Sequence, residues 1–437
     1  MKKKFEKLAD AFLTLRGIQL YRTFLSKSQF YDDALISDYQ VERLRDILIK
    51  AERTTPYYRK LFWEYNFDPK RFNQLDELQK LPILSKATVK SEIDQFYSYE
   101  AMKDSLELHT SGTTGEPMKV FTSKNQWVME QGVVWRHWQW AGYRLGDRMA
   151  IIRSYSPAAG MPLHKLDRLR NWMYFSANHL SEQHCLEYLK ILQNWKPVFL
   201  RGYPTSLYLL AKVARDNNIK LPSLKAALTA SETLLDMHRV AIREAFDIEV
   251  FDHYGQAEIT AMIHECEAHT GMHIDSEYGY VELIPTEEPT EYRIIATNLH
   301  NHAMPLIRYD TGDIAIMTEK RACCCGKTLP LIDGIKGRQD DYMYHAEGYP
   351  IPTVNFYTFF SLLEPVYRFQ MIQYAEKHVE IRVLLKQDSN AQDCLNKIEA
   401  EMQHRFGFPC EVRLTNEFIE SGEGKCLPLI QKIRKNI

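Results

Sequence analysis

Apolar positions at the start of the chain recur at helical spacing. Phe5, Leu8, Phe12, Leu15, Leu20 and Phe24 are separated by lysines and arginines, which predicts one amphipathic helix. Its basic flank suits two partners, the chain's own core or an anionic membrane surface. A second helical pattern covers 38–62 with Pro56 as an interruption, and Pro82 marks a turn before 86–93. A loop near 108–118 precedes an aromatic-rich helix over 125–140 and a strand at 149–152. Helix 205–217, strand 226–229, helix 234–246 and strand 248–251 then alternate, the rhythm of a parallel sheet. From 278 to 318 the pattern shifts to short strands at 279–283, 292–296 and 313–316. Beyond Gly334 and Gly337, strands at 369–372 and 379–383, a helix over 392–406 and a strand at 411–414 read as a compact β-β-α-β unit. The expected fold is α/β: a large N-terminal α/β domain, 1–337, with a β-rich subdomain, followed by a small C-terminal α+β domain, 338–437.

Composition removes several functional classes. The 437 residues carry 55 Lys+Arg against 57 Asp+Glu, a net charge of -2, so there is no basic field of the kind that drives nucleic-acid binding. A 45% share of hydrophobic residues is too high for a charge-dominated disordered chain. No run approaches the roughly 18 apolar residues of a membrane-spanning helix. The start Met1-Lys2-Lys3-Lys4 leads into Glu6, Lys7, Asp10 and Arg16 rather than the apolar core of a signal peptide. Eight cysteines in so long a chain do not make a disulfide scaffold; Cys323, Cys324 and Cys325 in a row read as metal-binding thiolates in a reducing compartment. The expected location is the cytoplasm.

Candidate chemistry is concentrated in short polar motifs. In Thr110-Ser111-Gly112-Thr113-Thr114-Gly115-Glu116-Pro117, two glycines allow a tight backbone whose N–H groups and hydroxyls can converge on phosphate oxygens. The stretch lacks the Gly-Lys-Ser/Thr ending of a Walker loop. Phe251-Asp252-His253-Tyr254-Gly255-Gln256-Ala257-Glu258 follows a strand and offers a ring for a purine face and a carboxylate for Mg²⁺. Arg308-Tyr309-Asp310-Thr311-Gly312-Asp313 offers a carboxylate to ribose hydroxyls, and Gly337-Arg338-Gln339-Asp340-Asp341 and Gly422-Glu423-Gly424-Lys425 complete the set.

In this order across residues 110–425, the motifs resemble those of the AMP-forming adenylate ligases. That superfamily contains acyl-CoA synthetases, nonribosomal adenylation domains and luciferases, and the resemblance is to its phenylacetate-CoA ligase and CapK-like branch. It implies an ATP- and Mg²⁺-dependent enzyme that joins a small carboxylic acid to AMP, releases pyrophosphate and passes the acyl group to CoA or to an amine or sugar hydroxyl. By this resemblance Ser111, Gly112, Thr113, Thr114 and Gly115 grip the outer phosphates. Ser231 and Glu232 form the adenine-side loop, although Ser231 also suits a helix cap. Tyr254, with Gly255 and Gln256, faces adenine; Glu258 binds Mg²⁺; Asp313, helped by Arg338, holds the ribose. Lys425 bridges the acid carboxylate and the α-phosphate, and the small domain turns about a hinge near Asp340. Two positions depart from the family pattern: Met118 stands where many members have lysine, and the glycine-rich segment after the hinge reads His345-Ala346-Glu347-Gly348-Tyr349-Pro350. The second departure leaves the acceptor open between CoA and other nucleophiles; a nucleotide-binding homologue without turnover is the remaining alternative, against which Glu258, Asp313 and Lys425 argue.

A further constellation suits a closed structural zinc site. Cys266 and His273 flank one loop and Cys323 and Cys325 come from another, a Cys₃His set for which His269 and Cys324 are competing members. Trp138, within the aromatic cluster from Trp127 to Tyr143, and Tyr203 in Arg201-Gly202-Tyr203-Pro204 are candidates for the acid pocket, although the same spacing suits a core stripe. A symmetric dimer is the default assembly.

Overall fold

The computed structural model describes residues 2–109, 118–153, 155, 157, 161–317, 319, 322–336, 342–352, 356, 359–360, 363, 365–385, 391–419 and 429–433. The chain folds as two compact units. One comprises Met1–Leu108, Lys119–Tyr143 and Phe251–Lys336, the other His109–Met118, Arg144–Val250 and Gly337–Ile437.

In the first unit the helix Lys2–Leu20 runs into a π-helical turn, Tyr21–Leu25. It lies against the helix Lys124–Trp140 at a crossing that admits no side chain. A Cβ on Gly17 would stand 2.5 Å from Cβ of Gln131, and one on Gly132 would stand 2.8 Å from Cδ1 of Leu25. Leu25, Met129, Val133, Ile259 and Tyr278 close a buried cluster beside it, so this amphipathic segment has a partner inside its own unit. The expected helix over 38–62 is two helices, Asp33–Thr54 and Pro56–Glu64. Asp32 caps the first by accepting from the Leu35 N–H, and Pro56 opens the second, where its missing N–H costs nothing.

Two antiparallel sets of strands complete this unit. In one, Met262–Glu265 pairs with Met272–Ile274 and with the end of the strand Glu249–Gly255, in a register that sets His253 opposite His264 and His264 opposite His273. The other has the order Gly279–Pro285, Glu291–Asn298, Tyr309–Ile316, Gly334–Lys336, which is the β-rich region expected from sequence. Leu84 bridges in parallel to Tyr309, tying the turn after Pro82 to this sheet.

The second unit contains the parallel sheet. Ala226–Ala230, Phe199–Gly202, Met149–Arg153 and Trp172–Ser176 are neighbours in that order, with His164–Asp167 antiparallel at the edge. Met149 to Ile152 are all buried, as strands covered on both faces require. The helices Glu182–Trp195, Pro204–Asp216 and Asp236–Phe246 contribute Leu189, Leu192, Leu207, Leu210 and Ile242 to the core. At the C-terminal end Val366–Ala375 pairs antiparallel with His378–Leu385, which Glu411–Leu414 joins in parallel after the helix Ala391–Phe406. Leu429–Gln431 adds a fourth strand, parallel to Val366–Ala375, so the expected β-β-α-β unit is one strand larger. Among the described residues no helix is long and apolar enough to cross a membrane.

Candidate active site and metal centre

In the first unit, two of the nucleotide motifs meet. The Tyr254 hydroxyl donates to Oδ2 of Asp313 at 2.9 Å, and burial, with the Asp313 charge next, pushes the phenol well above its ordinary value. The Asp313 N–H donates to Oγ1 of Thr311 at 3.1 Å, which fixes the turn that carries the carboxylate. Gln256 uses both ends of its amide locally, donating to the Thr260 hydroxyl and accepting from the Ala261 N–H. Gly255 closes the strand, where a Cβ would stand 3.1 Å from Nε2 of His253.

Glu258 is buried, and Oε1 accepts from Nζ of Lys86 at 2.8 Å and from the Tyr309 hydroxyl at 2.9 Å. Burial is the largest single influence and would raise its carboxyl, but the Lys86 charge and hydrogen bond, joined by the Tyr309 hydroxyl, together outweigh it and hold the group below its ordinary value. The group is therefore an ionised, preplaced oxygen donor of the kind a hard cation requires. Mg²⁺ fits that donor chemistry and would compete with Lys86 for the carboxylate.

The second unit carries the other described nucleotide residues. Ser231 follows the strand Ala226–Ala230 with φ of 74°, a left-handed conformation that costs a non-glycine residue roughly 1–2 kcal/mol, and its hydroxyl accepts from Nη2 of Arg153 at 3.1 Å. It is not a helix cap, because the next helix begins at Asp236 with Leu235 at the cap position. Oε2 of Glu232 accepts from the Thr205 N–H at 3.2 Å, in the first turn of Pro204–Asp216, where a negative charge suits the helix dipole. Tyr203, the residue before that helix, is buried with the Arg153 guanidinium 5.5 Å over its ring. In the first unit Trp138 is buried against Trp135 and Tyr143. Ser111, Gly112, Thr113, Thr114, Gly115, Arg338, Asp340 and Lys425 lie outside the described residues.

Sequence reasoning missed Lys86, Tyr309 and Arg153. Tyr309 lies inside a motif already singled out, beside Asp310 and Asp313, and could have been found there. Lys86 is 172 residues from Glu258 in sequence, and no spacing rule reaches that far. It is placed by Leu84, whose N–H donates to the Arg308 carbonyl and whose carbonyl accepts from the Asp310 N–H.

The Cys₃His set is assembled in the first unit. Ligand atoms of Cys266, His273, Cys323 and Cys325 lie within 4.8 Å of one another; the Sγ atoms of Cys266 and Cys323 are 3.6 Å apart, and Sγ of Cys325 is 3.3 Å from Nε2 of His273. Tetrahedral zinc with Zn–S near 2.3 Å separates its sulfurs by about 3.8 Å. Nδ1 of His273 faces the Leu329 carbonyl at 2.9 Å; donation there fixes the tautomer and turns the Nε2 lone pair toward the thiols. Of the competing residues, His269 meets Glu265 and Cys324 is exposed. The donor set fits zinc, and with four protein ligands the site is closed.

Comparison with known proteins agrees with this anatomy. Residues 343–424 match the CapK C-terminal domain family. A phenylacetate-coenzyme A ligase from Thermus thermophilus is 27% identical over 318 residues, 70% of each chain. Protein CapK from Staphylococcus aureus is 22% identical over 379 residues, covering 84% of this chain and 82% of that one. The fold is shared with a 2-hydroxyisobutyryl-CoA ligase solved in the postadenylation state with 2-HIB-AMP, at a TM-score of 0.59 and 20% identity over 92% of this chain and 90% of that chain. Relatives and domain match point the same way: the chain is similar to phenylacetate-CoA ligases and to CapK, and it shares the fold of an AMP-forming CoA ligase.

Proposed function

We propose that the protein activates a small carboxylic acid with ATP, forming an acyl-adenylate and pyrophosphate, and then transfers the acyl group to CoA. The observation that carries this reading is the junction of Tyr254 with Asp313 in the unit that also holds Glu258 ionised. In the first step a carboxylate oxygen attacks the α-phosphorus of ATP, and the bond to the bridging oxygen of the β-phosphate breaks. In the second, the CoA thiolate attacks the acyl carbon and AMP leaves with the electron pair of the carbon–oxygen bond.

The residues divide this work by chemistry. Asp313, steadied by Tyr254, accepts hydrogen bonds from the ribose, with Arg338 beside it; Ser231 and Glu232 border adenine, and Tyr254 offers its ring face. Ser111, Gly112, Thr113, Thr114 and Gly115 hold the departing phosphates. Lys425 places an ammonium between carboxylate and α-phosphate, where charge builds in the transition state. Glu258 would hold Mg²⁺, which neutralises phosphate charge when bound. Trp138 and Tyr203 border the acid pocket. The chain divides into a large domain, 1–337, and a small domain, 338–437, that turns about Asp340 between half-reactions. Zinc at Cys266, His273, Cys323 and Cys325 ties two loops together and takes no part in the chemistry. The enzyme works in the cytoplasm as a dimer, and its basic N-terminal helix can touch an anionic membrane surface.

A second acceptor class, an amine or hydroxyl of a surface polysaccharide or secondary metabolite, is favoured by the match of residues 343–424 to the CapK C-terminal domain and by the altered segment 345–350. Pyrophosphate release with hydroxylamine as trap, across aryl, fatty, amino and uronic acids, tests adenylation without assuming an acceptor. A signal from one acid class is expected, and CoA then yields a thioester. Silence across the panel would reject the adenylation reading, and an acid that is activated but gives no thioester would move the acceptor to the second class.

A further inference from the structure

The strand register aligns three histidines in one row. His253 is opposite His264 and His264 opposite His273 on adjacent antiparallel strands, and directly opposed residues project from the same sheet face. His273 belongs to the Cys₃His cluster. The helix Lys124–Trp140 meets this row with His137 and Trp140, which share a face at a separation of three residues. The His137 ring stacks on His264 at 4.4 Å between centroids and lies 6.0 Å from His253, while Trp140 stands 6.3 Å from His264 and 6.0 Å from His273. One ring nitrogen from each of His137, His253 and His264 falls within 4.8 Å of the others.

The polar accounting of this cluster is incomplete. His137 is 1% exposed, and neither of its ring nitrogens has a hydrogen-bond partner; Nε2 of His264, fully buried, has none either. Buried nitrogens are ordinarily paired, and a stack of imidazoles with inward lone pairs is a poor apolar core. Around them the arrangement resembles a ligand shell. Oδ2 of Asp275 lies against Nδ1 of His264, the carboxylate–histidine contact that orients a metal-binding imidazole and leaves Nε2 for the ion. Oδ1 of Asp275 is held by Arg136 at 2.7 Å, and the same guanidinium takes both carboxylate oxygens of Glu277 at 2.8 and 3.0 Å. One guanidinium against two carboxylates leaves this buried group with a negative charge in excess, which a cation between the imidazoles would offset.

We propose that His137, His253 and His264 form a second metal site, distinct from the Cys₃His cluster, that takes one divalent transition-metal ion. Three imidazole nitrogens suit zinc, cobalt, nickel or copper and not magnesium or calcium, which demand oxygen. Three protein ligands also leave one coordination position for water, in contrast to the closed cysteine site. This inference stands apart from the ligase reading, because it concerns metal content alone.

The test is metal stoichiometry of the full-length protein loaded with Co²⁺, read by elemental analysis and absorption. Two ions per chain are expected in the wild type, only one of them carrying thiolate-to-cobalt charge transfer. Cys325→Ser should remove that band and retain one ion; His253→Gln, a change at a half-buried position, should remove the other ion and leave the band. A single ion per wild-type chain that Cys325→Ser abolishes would overturn the proposal without any histidine variant. So would a wild-type content retained in full by His253→Gln. His137→Phe, which keeps an aromatic ring in the stack, gives an independent reading and should likewise lose one ion with the charge-transfer band intact.

Discussion

At the scale of single residues, the carboxylate of Glu258 shows how a buried charge is kept usable. Its side chain is 7% exposed and its partner Lys86 is 25% exposed, so the pair is neither a surface ion pair nor fully sealed. Removing the ammonium in Lys86→Met leaves the carboxylate buried without its counter-ion, a change that typically costs about 3–5 kcal/mol. Because Glu258 titrates below its ordinary value of 4.5, the stabilisation is fully present above that pH and is lost as the pH falls through the lowered value. Urea denaturation at neutral pH should therefore separate variant from wild type by about 3–5 kcal/mol, and the gap should close as the pH falls through the lowered value; equal stability at neutral pH would show that Lys86 is not the compensating charge. Tyr254→Phe keeps the ring and deletes only the hydroxyl on Asp313. A hydrogen bond to a charged acceptor contributes about 1.5–3 kcal/mol, so stability should drop by up to that amount and kcat/KM for ATP, measured below the variant's unfolding transition, should fall roughly tenfold or more. Unchanged kinetics would remove Tyr254 from the positioning of Asp313. The motifs around both residues were legible because each is a short run of glycine, aromatic and acidic residues. Lys86 and Arg153 were not, because their partners are reached only through tertiary folding.

Helices and strands were legible wherever their period was clean. The alternation of Pro204–Asp216, Ala226–Ala230 and Asp236–Phe246 was read from sequence, as was Glu411–Leu414. The edge strand His164–Asp167 was not, because it carries one apolar residue, Leu166, and gains its identity by pairing with Trp172–Ser176. The N-terminal helix had two possible partners on sequence grounds, and Gly17 and Gly132 supply the physical reason for one of them: the backbones of the two helices approach too closely for side chains. Gly17→Ala sets two effects against each other. Helix propensity favours alanine by up to about 1 kcal/mol, whereas the new methyl would fall 2.5 Å from Cβ of Gln131, a root atom that cannot swing aside, and overpacking costs about 1–3 kcal/mol. The clash should win, lowering the melting temperature, and the larger Gly132→Val should lower it further. A higher melting temperature for Gly17→Ala would mean that the helix is free to move off its neighbour.

For the whole molecule, composition excluded more than it established. A net charge of -2 across 437 residues argued against a polyanion partner, yet nothing in it marked the division of the backbone into units assembled from separated segments, because that depends on which strands pair. The same balance also hides how charge is distributed among buried histidines. His300 is half-buried, with Nε2 facing the Glu277 carbonyl at 2.9 Å, and desolvation pulls its imidazolium down from 6.5 to about 4. His238 and His302 are lowered to about 4 as well, again chiefly by burial. In the unfolded chain each imidazole takes up a proton near its ordinary value, so between about pH 6.5 and 4 the unfolded state binds protons that the folded state refuses. Stability therefore falls as the medium is acidified through that window, and one pKa unit corresponds to 1.36 kcal/mol, so His300 alone contributes about 3 kcal/mol to the drop. His300→Gln keeps a hydrogen-bond donor and removes the titration. Its unfolding free energy should decline less steeply than that of the wild type from pH 6.5 to 4, whatever the offset at neutral pH. Parallel profiles for the two proteins would mean that His300 keeps its ordinary titration in the folded state and that the acid sensitivity lies with the carboxylates instead.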